Sequence, residues 1–247
     1  MKAVVLGATK GMGRALARAF ATRGDTVFLL GRDERELELG AADLRARTGK
    51  PETVAGVASC DLERPETYGP ALDRAEAALG RVDTVVVTAA LFATQERLEA
   101  DSELLRRLLT VDFTNTILFC EEARRRLLAQ GGGTLCVFSS VAGERGRKPV
   151  VYYGAAKAGL SLYLESLDHK YRASGLRTIC VKPGFVKTGM TEGLRPPPFA
   201  GEPEQVAADV VRAIDAGKPV VYTPRMWALV MLVIRWLPRF VMRKIGF

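Results

Sequence analysis

The run Lys2-Ala3-Val4-Val5-Leu6-Gly7-Ala8-Thr9-Lys10-Gly11-Met12-Gly13 decides how this chain is read. Four apolar residues of strand character meet a glycine-rich turn, and a helical pattern through Ala15, Leu16, Ala19 and Phe20 follows. Thr26 to Leu30 is a second apolar run. Strand, glycine loop, helix and strand make a βαβ opening. The spacing Gly7, Gly11, Gly13 departs from GxGxxG but serves the same physical end. Glycines let the backbone turn tightly and approach a pyrophosphate set against the N-terminus of the following helix.

Outward from that opening the alternation continues. Asp33 caps a charged helix to about Arg47, and Thr53 to Ala58 reads as a third strand ending at Cys60-Asp61. Pro65 to Leu79 is helical, and Val82 to Val87 is a fourth strand with Thr84 and Asp83 as its polar members. A helical region from about Asp101 to Gln130 is stopped by Gly131-Gly132-Gly133. Thr134 to Phe138, Arg177 to Val181 and Val220 to Thr223 are further strands, with helices at Val151 to Ser174 and Pro203 to Ala216. Residues 188–203 are rich in Gly and Pro and are expected to lack regular structure. The expectation is an α/β fold, a doubly wound parallel sheet of about seven strands with helices on both faces. It divides into a Rossmann-type catalytic body at 1–224 and a basic, apolar C-terminal segment at 225–247.

One α/β domain is ordinary for 247 residues, 48% hydrophobic and 26% charged. Cys60, Cys120, Cys136 and Cys180 form no CxxC pair and no metal-ligand spacing, so they read as reduced, buried thiols and no metal is expected. The opening residues form a strand rather than a secretory leader, which suggests a cytoplasmic protein. The net charge of +8 invites a nucleic-acid reading, but after Asp215 there is no acidic residue, while Lys218, Arg225, Arg235, Arg239, Arg243 and Lys244 are all basic. The basicity belongs to one terminal segment, and no nucleic-acid partner is expected.

The chemistry is carried elsewhere. Tyr153 and Lys157 are spaced to project from one face of a helix. An ammonium ~5 Å from a phenol favours the phenolate by roughly 3 kcal/mol at an effective dielectric of ~20. A Tyr so poised is an acid or base for a carbonyl/alcohol pair. Ser140, thirteen positions before Tyr153, stands at the carboxyl end of the fifth strand, where open α/β sheets bind ligands. At the end of strand two the chain reads Gly31-Arg32, and Lys10 lies in the glycine loop. Two cations and no ribose-binding carboxylate suit NADPH better than NADH. Asp61 could either bond the adenine amine or cap the next helix.

The glycine loop, Ser140, Tyr153 and Lys157, in that order, resemble the short-chain dehydrogenase/reductase family in its compact, single-domain branch, over essentially the whole chain. The resemblance implies Tyr153 as the general acid in reduction, Ser140 as the group that orients the carbonyl, and Lys157 as the residue that binds the nicotinamide ribose and lowers the Tyr153 pKa. It also implies cofactor contacts from Gly7, Thr9, Lys10, Gly11, Met12, Gly13, Arg32, Asp61, Leu62, Ala89, Pro183, Gly184, Val186 and Thr188. Tyr152 is excluded as the catalytic residue because Ala156 occupies its i+4 position. Two departures stand out. The family's Asn-Asn-Ala-Gly run is here Val87-Thr88-Ala89-Ala90, and the relay Asn aligns with Asp112, with Asn115 one turn later as the other candidate. These departures keep a dinucleotide-sensing protein without turnover among the alternatives. His169, the sole histidine, reads as structural.

Lys182-Pro183-Gly184-Phe185-Val186, Met190-Thr191-Glu192-Gly193 and Leu237-Pro238-Arg239-Phe240-Val241 resemble reductases acting on decaprenylphosphoryl-2-keto-pentose, a keto sugar carried on a polyprenyl phosphate. Met226 to Ile234 is too short to span a bilayer, which takes ~20 apolar residues. Mixed with Trp236, Leu237, Phe240 and flanking cations, it suits either an interface at the inner face of the cytoplasmic membrane or packing on a neighbouring subunit of a homo-oligomer. The expected substrate is a small-molecule or lipid-linked ketone, the alternative a soluble or acyl-carrier-bound one.

Overall fold

Seven parallel strands run in the order β3-β2-β1-β4-β5-β6-β7 in the computed structural model, which describes residues 1–245. The strands are β1 (Lys2–Leu6), β2 (Thr26–Gly31), β3 (Val54–Ser59), β4 (Thr84–Val87), β5 (Gly133–Phe138), β6 (Leu176–Pro183) and β7 (Val220–Thr223). Between them lie α1 (Gly11–Arg23), α2 (Glu34–Thr48), α3 (Tyr68–Leu79), α4 (Gln95–Ala100), α5 (Ser102–Leu109), α6 (Thr116–Ala129), α7 (Val151–Tyr171) and α8 (Pro203–Ala216). Two further helices, α9 (Met226–Trp236) and α10 (Arg239–Lys244), end the described chain.

Alternation within β1 explains the layering. Ala3 and Val5 join one core with Leu16 and Phe20 of α1, Leu37 of α2 and Val210 of α8. Val4 and Leu6 point the other way, onto Leu72 of α3, Phe119 of α6 and Leu160 of α7. Strands covered on both faces carry apolar residues at successive positions, which is why β1, β2 and β4 read as unbroken runs. The order reverses between β1 and β4, and that switch point opens a crevice at the carboxyl ends of the strands. All four cysteines are buried and free, as expected. Asp33 accepts from the Glu36 N–H at 3.1 Å, so it does cap α2.

The helical stretch expected from Asp101 to Gln130 is interrupted. Between α5 and α6, Thr110–Asn115 forms a π-helical segment, with the Thr116 hydroxyl donating to the Val111 carbonyl at 2.7 Å. The wider turn brings both Asp112 and Asn115 into the interior. Hydrophobic periodicity does not register one inserted residue. The helix expected to reach Ser174 leaves α geometry at Tyr171 and ends in a 3-10 turn.

The C-terminal segment packs on the body. Trp227, Met231 and Ile234 on the inner face of α9 are buried with Val141, Phe185 and Tyr222 around them. Each such side chain contributes about 1.5–3 kcal/mol when fully buried. The last two positions, Gly246 and Phe247, lie outside the described residues.

Candidate active site

The crevice over the switch point is a groove of about 320 Å³. Its lining includes Gly7, Thr9, Lys10, Gly11, Met12 and Gly13 from the β1 turn, with Arg32, Asp61, Leu62, Ala89 and Thr188 from neighbouring strand ends. Gly7 has φ +92°, and a Cβ on Gly13 would sit 2.2 Å from the Gly7 carbonyl oxygen, so neither tolerates a side chain. The N-terminus of α1 has no side-chain cap and no acidic residue in its first turn. Its N–H groups and the positive end of its dipole face an open groove. The cradle therefore fits the pyrophosphate of a dinucleotide. Thr88 stands in for the family's Asn: its hydroxyl donates to the Leu6 carbonyl at 2.9 Å and ties β4 to the glycine turn.

Beyond the groove the catalytic candidates converge on the end of β5. Ser139 points into the core, donating to the Lys157 carbonyl at 2.8 Å and pairing with Ser161 at 2.7 Å. Ser140 is left on the open side. Its oxygen accepts from the Ala142 N–H at 3.1 Å and lies 3.5 Å from the Pro183 carbonyl. Its hydroxyl is near enough to the Tyr153 phenol to draw that pKa down. Phe92 meets the Tyr153 ring edge-on at a centroid distance of 5.3 Å, and Leu91 and Tyr152 help wall that side. The start of α7 is set by Gln95, whose side-chain oxygen accepts the Val151 N–H at 2.8 Å.

Lys157 is 1% exposed. Its ammonium lies 3.4 Å from Asp112 Oδ2, 3.4 Å from the Phe138 carbonyl and 5.5 Å from the centroid of the Tyr153 ring. The other Asp112 oxygen accepts the Leu91 N–H at 2.6 Å. Of the two candidates for the relay position, Asp112 is therefore the one at Lys157. Asn115 instead donates at 2.6 Å to the carbonyl of Leu62, which lines the groove. Burial alone would push the ammonium down, but the charge of Asp112 leads the groups that outweigh it and hold Lys157 above its usual pKa. Burial pushes the Asp112 carboxyl up against the pull of that ammonium.

Lys157 does pull the Tyr153 pKa down, as expected, but the net direction is upward. Burial raises it more than Lys157 lowers it, and Asp112 offsets part of the lysine's charge, so the phenol keeps its proton above the ordinary range. A Tyr that holds its proton can serve as an acid toward a carbonyl oxygen.

The short chain dehydrogenase family profile matches residues 1–198. The chain belongs to the short-chain dehydrogenase/reductase family. It is thus an NAD(P)-dependent oxidoreductase. An uncharacterized oxidoreductase of Mycobacterium tuberculosis is 34% identical over 98% of this chain and 95% of its own length. Carbonyl reductase family member 4 of Xenopus tropicalis is 29% identical over 86% and 90%. Among solved structures, a variant of actinorhodin polyketide ketoreductase with NADPH superposes with a TM-score of 0.80 at 22% identity, covering 90% of this chain and 95% of that one. A short-chain type dehydrogenase/reductase from Mycobacterium ulcerans gives 0.79 at 23%, covering 90% and 87%. These likenesses show the fold.

Three residues at the site escaped the sequence reading. Glu63 lines the groove and lies 3.8 Å from Arg32. Glu144 and Trp227 sit where the tail meets the catalytic loop. None falls in a motif, and only the Trp at the head of an apolar run carried any signal.

Proposed function

We propose that the chain reduces a ketone to a secondary alcohol with NADPH, and that Tyr153 supplies the proton. The observation that carries this reading is the convergence of Ser140, Tyr153 and the Lys157–Asp112 pair beside the groove. The dinucleotide, when bound, supplies the hydride. Lys10 and Arg32, both exposed at the groove, would hold the 2′-phosphate. Lys157 would bind the ribose hydroxyls, with Pro183, Gly184, Val186 and Thr188 along the nicotinamide. Ser140 donates its hydroxyl proton in a hydrogen bond to the substrate oxygen and orients it. The Tyr153 Oη proton passes to that oxygen as negative charge develops there. Lys157 then stabilises the phenolate left behind. The test is NADPH oxidation against a panel of ketones. Tyr153→Phe should bind NADPH and turn nothing over, and an undiminished rate would remove Tyr153 from the proton step.

The substrate class we propose is a keto sugar on a lipid phosphate, and the outer face of the tail supports it. Met226, Leu229, Val233, Trp236 and Phe240 are exposed at helical spacing, with Arg225, Arg239 and Arg243 beside them. No helix among the described residues is long and apolar enough to cross a membrane, so this stripe would lie in the interface of an anionic leaflet, each cation contributing ~1 kcal/mol. Deleting 225–247 would also remove the buried Trp227 and Met231, so exposed positions are the right ones to change. Trp236→Ser with Phe240→Ser should abolish sedimentation with phosphatidylglycerol vesicles. Unchanged sedimentation would refute the interface. The second reading, a soluble or acyl-carrier-bound ketone with this stripe on a neighbouring subunit, predicts instead that the same pair of changes lowers the oligomeric state without vesicles present.

A further inference from the structure

The Glu144 carboxylate is 6% exposed, yet four elements of the fold meet on it. It stands in the loop that leaves Ser140. One oxygen pairs with Lys182 of β6, one residue before Pro183. The other accepts from the Tyr222 hydroxyl of β7 at 2.8 Å and lies 3.4 Å from the Arg235 guanidinium of α9. Burial, and then the Glu144 carboxylate, push the Tyr222 phenol well above its ordinary range, so the phenol keeps its proton and donates it to Glu144. A carboxylate so enclosed depends on its partners, because removing charges from one side leaves the rest in a low-dielectric setting.

Around this hub the tail leans on the catalytic loop. Arg145 donates to the Leu237 carbonyl at 2.6 Å, and Lys148 to the Arg243 carbonyl at 2.7 Å. Trp227 lies against Gly184 so closely that a Cβ there would come within 2.1 Å of the indole nitrogen. The same nitrogen donates to the Phe199 carbonyl at 3.2 Å, in the Gly- and Pro-rich segment before α8. Val141, next to Ser140, packs in the Trp227–Met231–Ile234 cluster. Thus α9 touches the residue after the catalytic Ser, the residue after Pro183 and the segment 188–203 together.

We infer that α9 is a wall of the catalytic cleft and that Glu144 is the positioning residue through which this wall holds the Ser140 loop and the Pro183–Gly184 turn in register. Glu144 does not reach the reacting atoms. It fixes the loop whose Ser140 does, and it joins that loop to a helix whose outer face is apolar. The kinetic arm of the test rests on the ketone-reducing reading; the spectroscopic arm does not.

The test uses the full chain carrying Trp236→Phe, which leaves Trp227 as the sole indole reporting from beside Gly184. Glu144→Gln and Arg235→Ala are added singly and together. Expected are a longer-wavelength Trp227 emission, acrylamide quenching raised several-fold and an NADPH dissociation constant changed less than threefold. On the best ketone of the panel, kcat should fall about tenfold, with the double variant no worse than Glu144→Gln alone. Adding Glu144→Asp should restore part of both signals. An unchanged Trp227 signal in both single variants overturns the proposal. So does a parallel loss of NADPH affinity, thermal stability and kcat, which would make Glu144 a general folding residue. If the parent protein turns over no ketone, the reaction reading has failed and the fluorescence of Trp227 still decides whether Glu144 holds α9 against the Ser140 loop.

Discussion

Two ion pairs at opposite ends of the groove have nearly the same separation and opposite physics. Lys157 and Asp112 lie 3.4 Å apart with side chains 2% and 0% exposed. Arg32 and Glu63 lie 3.8 Å apart with side chains 66% and 30% exposed. In the first, each charge has lost its water and depends on the other, so breaking the pair strands a charge. In the second, solvent screens both partners and the pair is worth little to stability. Burial therefore assigns them different work. The inner pair acts on the Tyr153 beside it, and the outer one lies where solvent or a ligand can reach it.

The largest effect should come from the group the inner pair serves. Tyr153→Phe removes the proton donor and should lower turnover ~10²–10⁴-fold while NADPH binding, followed by fluorescence, stays within a few-fold. The pH profile sharpens the same point. Because the Tyr153 phenol is held above its ordinary range, the reduction rate should be level through neutral pH and decline only once the phenol ionises in alkaline solution. A rate that climbs steadily from pH 6 to 9 would mean a phenolate is the working form and would contradict a raised Tyr153 pKa.

Next in size is Asp112→Ala. It strands the buried ammonium and leaves the Leu91 N–H without its acceptor. Loss of a buried partner costs about 3–5 kcal/mol, read as a lower urea midpoint at unchanged slope. Asp112→Asn keeps an acceptor for Leu91 and should recover most of that stability. If Ala and Asn were equally mild, the pair would be no more than a surface contact in disguise.

The outer end is expected to respond in affinity rather than stability. Arg32→Ala should weaken NADPH binding roughly tenfold, the scale of one charge-assisted contact worth ~1.5 kcal/mol, and leave NADH binding and the unfolding midpoint nearly unchanged. Tighter binding of NADH than NADPH by the unaltered chain would reverse the assignment of Lys10 and Arg32.

What could be read from the sequence follows the same line between short-range and long-range causes. The strand–glycine–helix opening and the Tyr153/Lys157 spacing are local patterns with one physical reading each, and they give the sheet and the catalytic face. The choice between Asp112 and Asn115 was open because it turns on a π-helical segment, a one-residue change in winding that leaves the apolar pattern intact. The pull of Lys157 on Tyr153 is legible from their spacing, but the larger opposing effect of burial is not, because charge can be counted along a chain and burial cannot. Glu144 was invisible because its partners, Lys182, Tyr222 and Arg235, come from three distant segments.

Glu63 provides the smallest and most discriminating test of the comparison. Arg107 holds its carboxyl below the usual range through a paired contact, with burial opposing and Arg32 adding a weaker pull. Arg107 keeps that pair, so Glu63 faces Arg32 as a fixed negative charge. A 2′-phosphate arriving at Arg32 would meet this carboxylate as a repulsive neighbour. Glu63→Gln removes the repulsion and frees Arg32, and should strengthen NADPH binding two- to fivefold, the range expected of one screened surface interaction of ~0.5–1 kcal/mol. NADH, which lacks the phosphate, should be unaffected. The effect should shrink at high salt, because both groups are reached by solvent. A gain that survives molar salt, or one shared equally by NADH, would show that Glu63 acts on the shape of the groove and not on its charge.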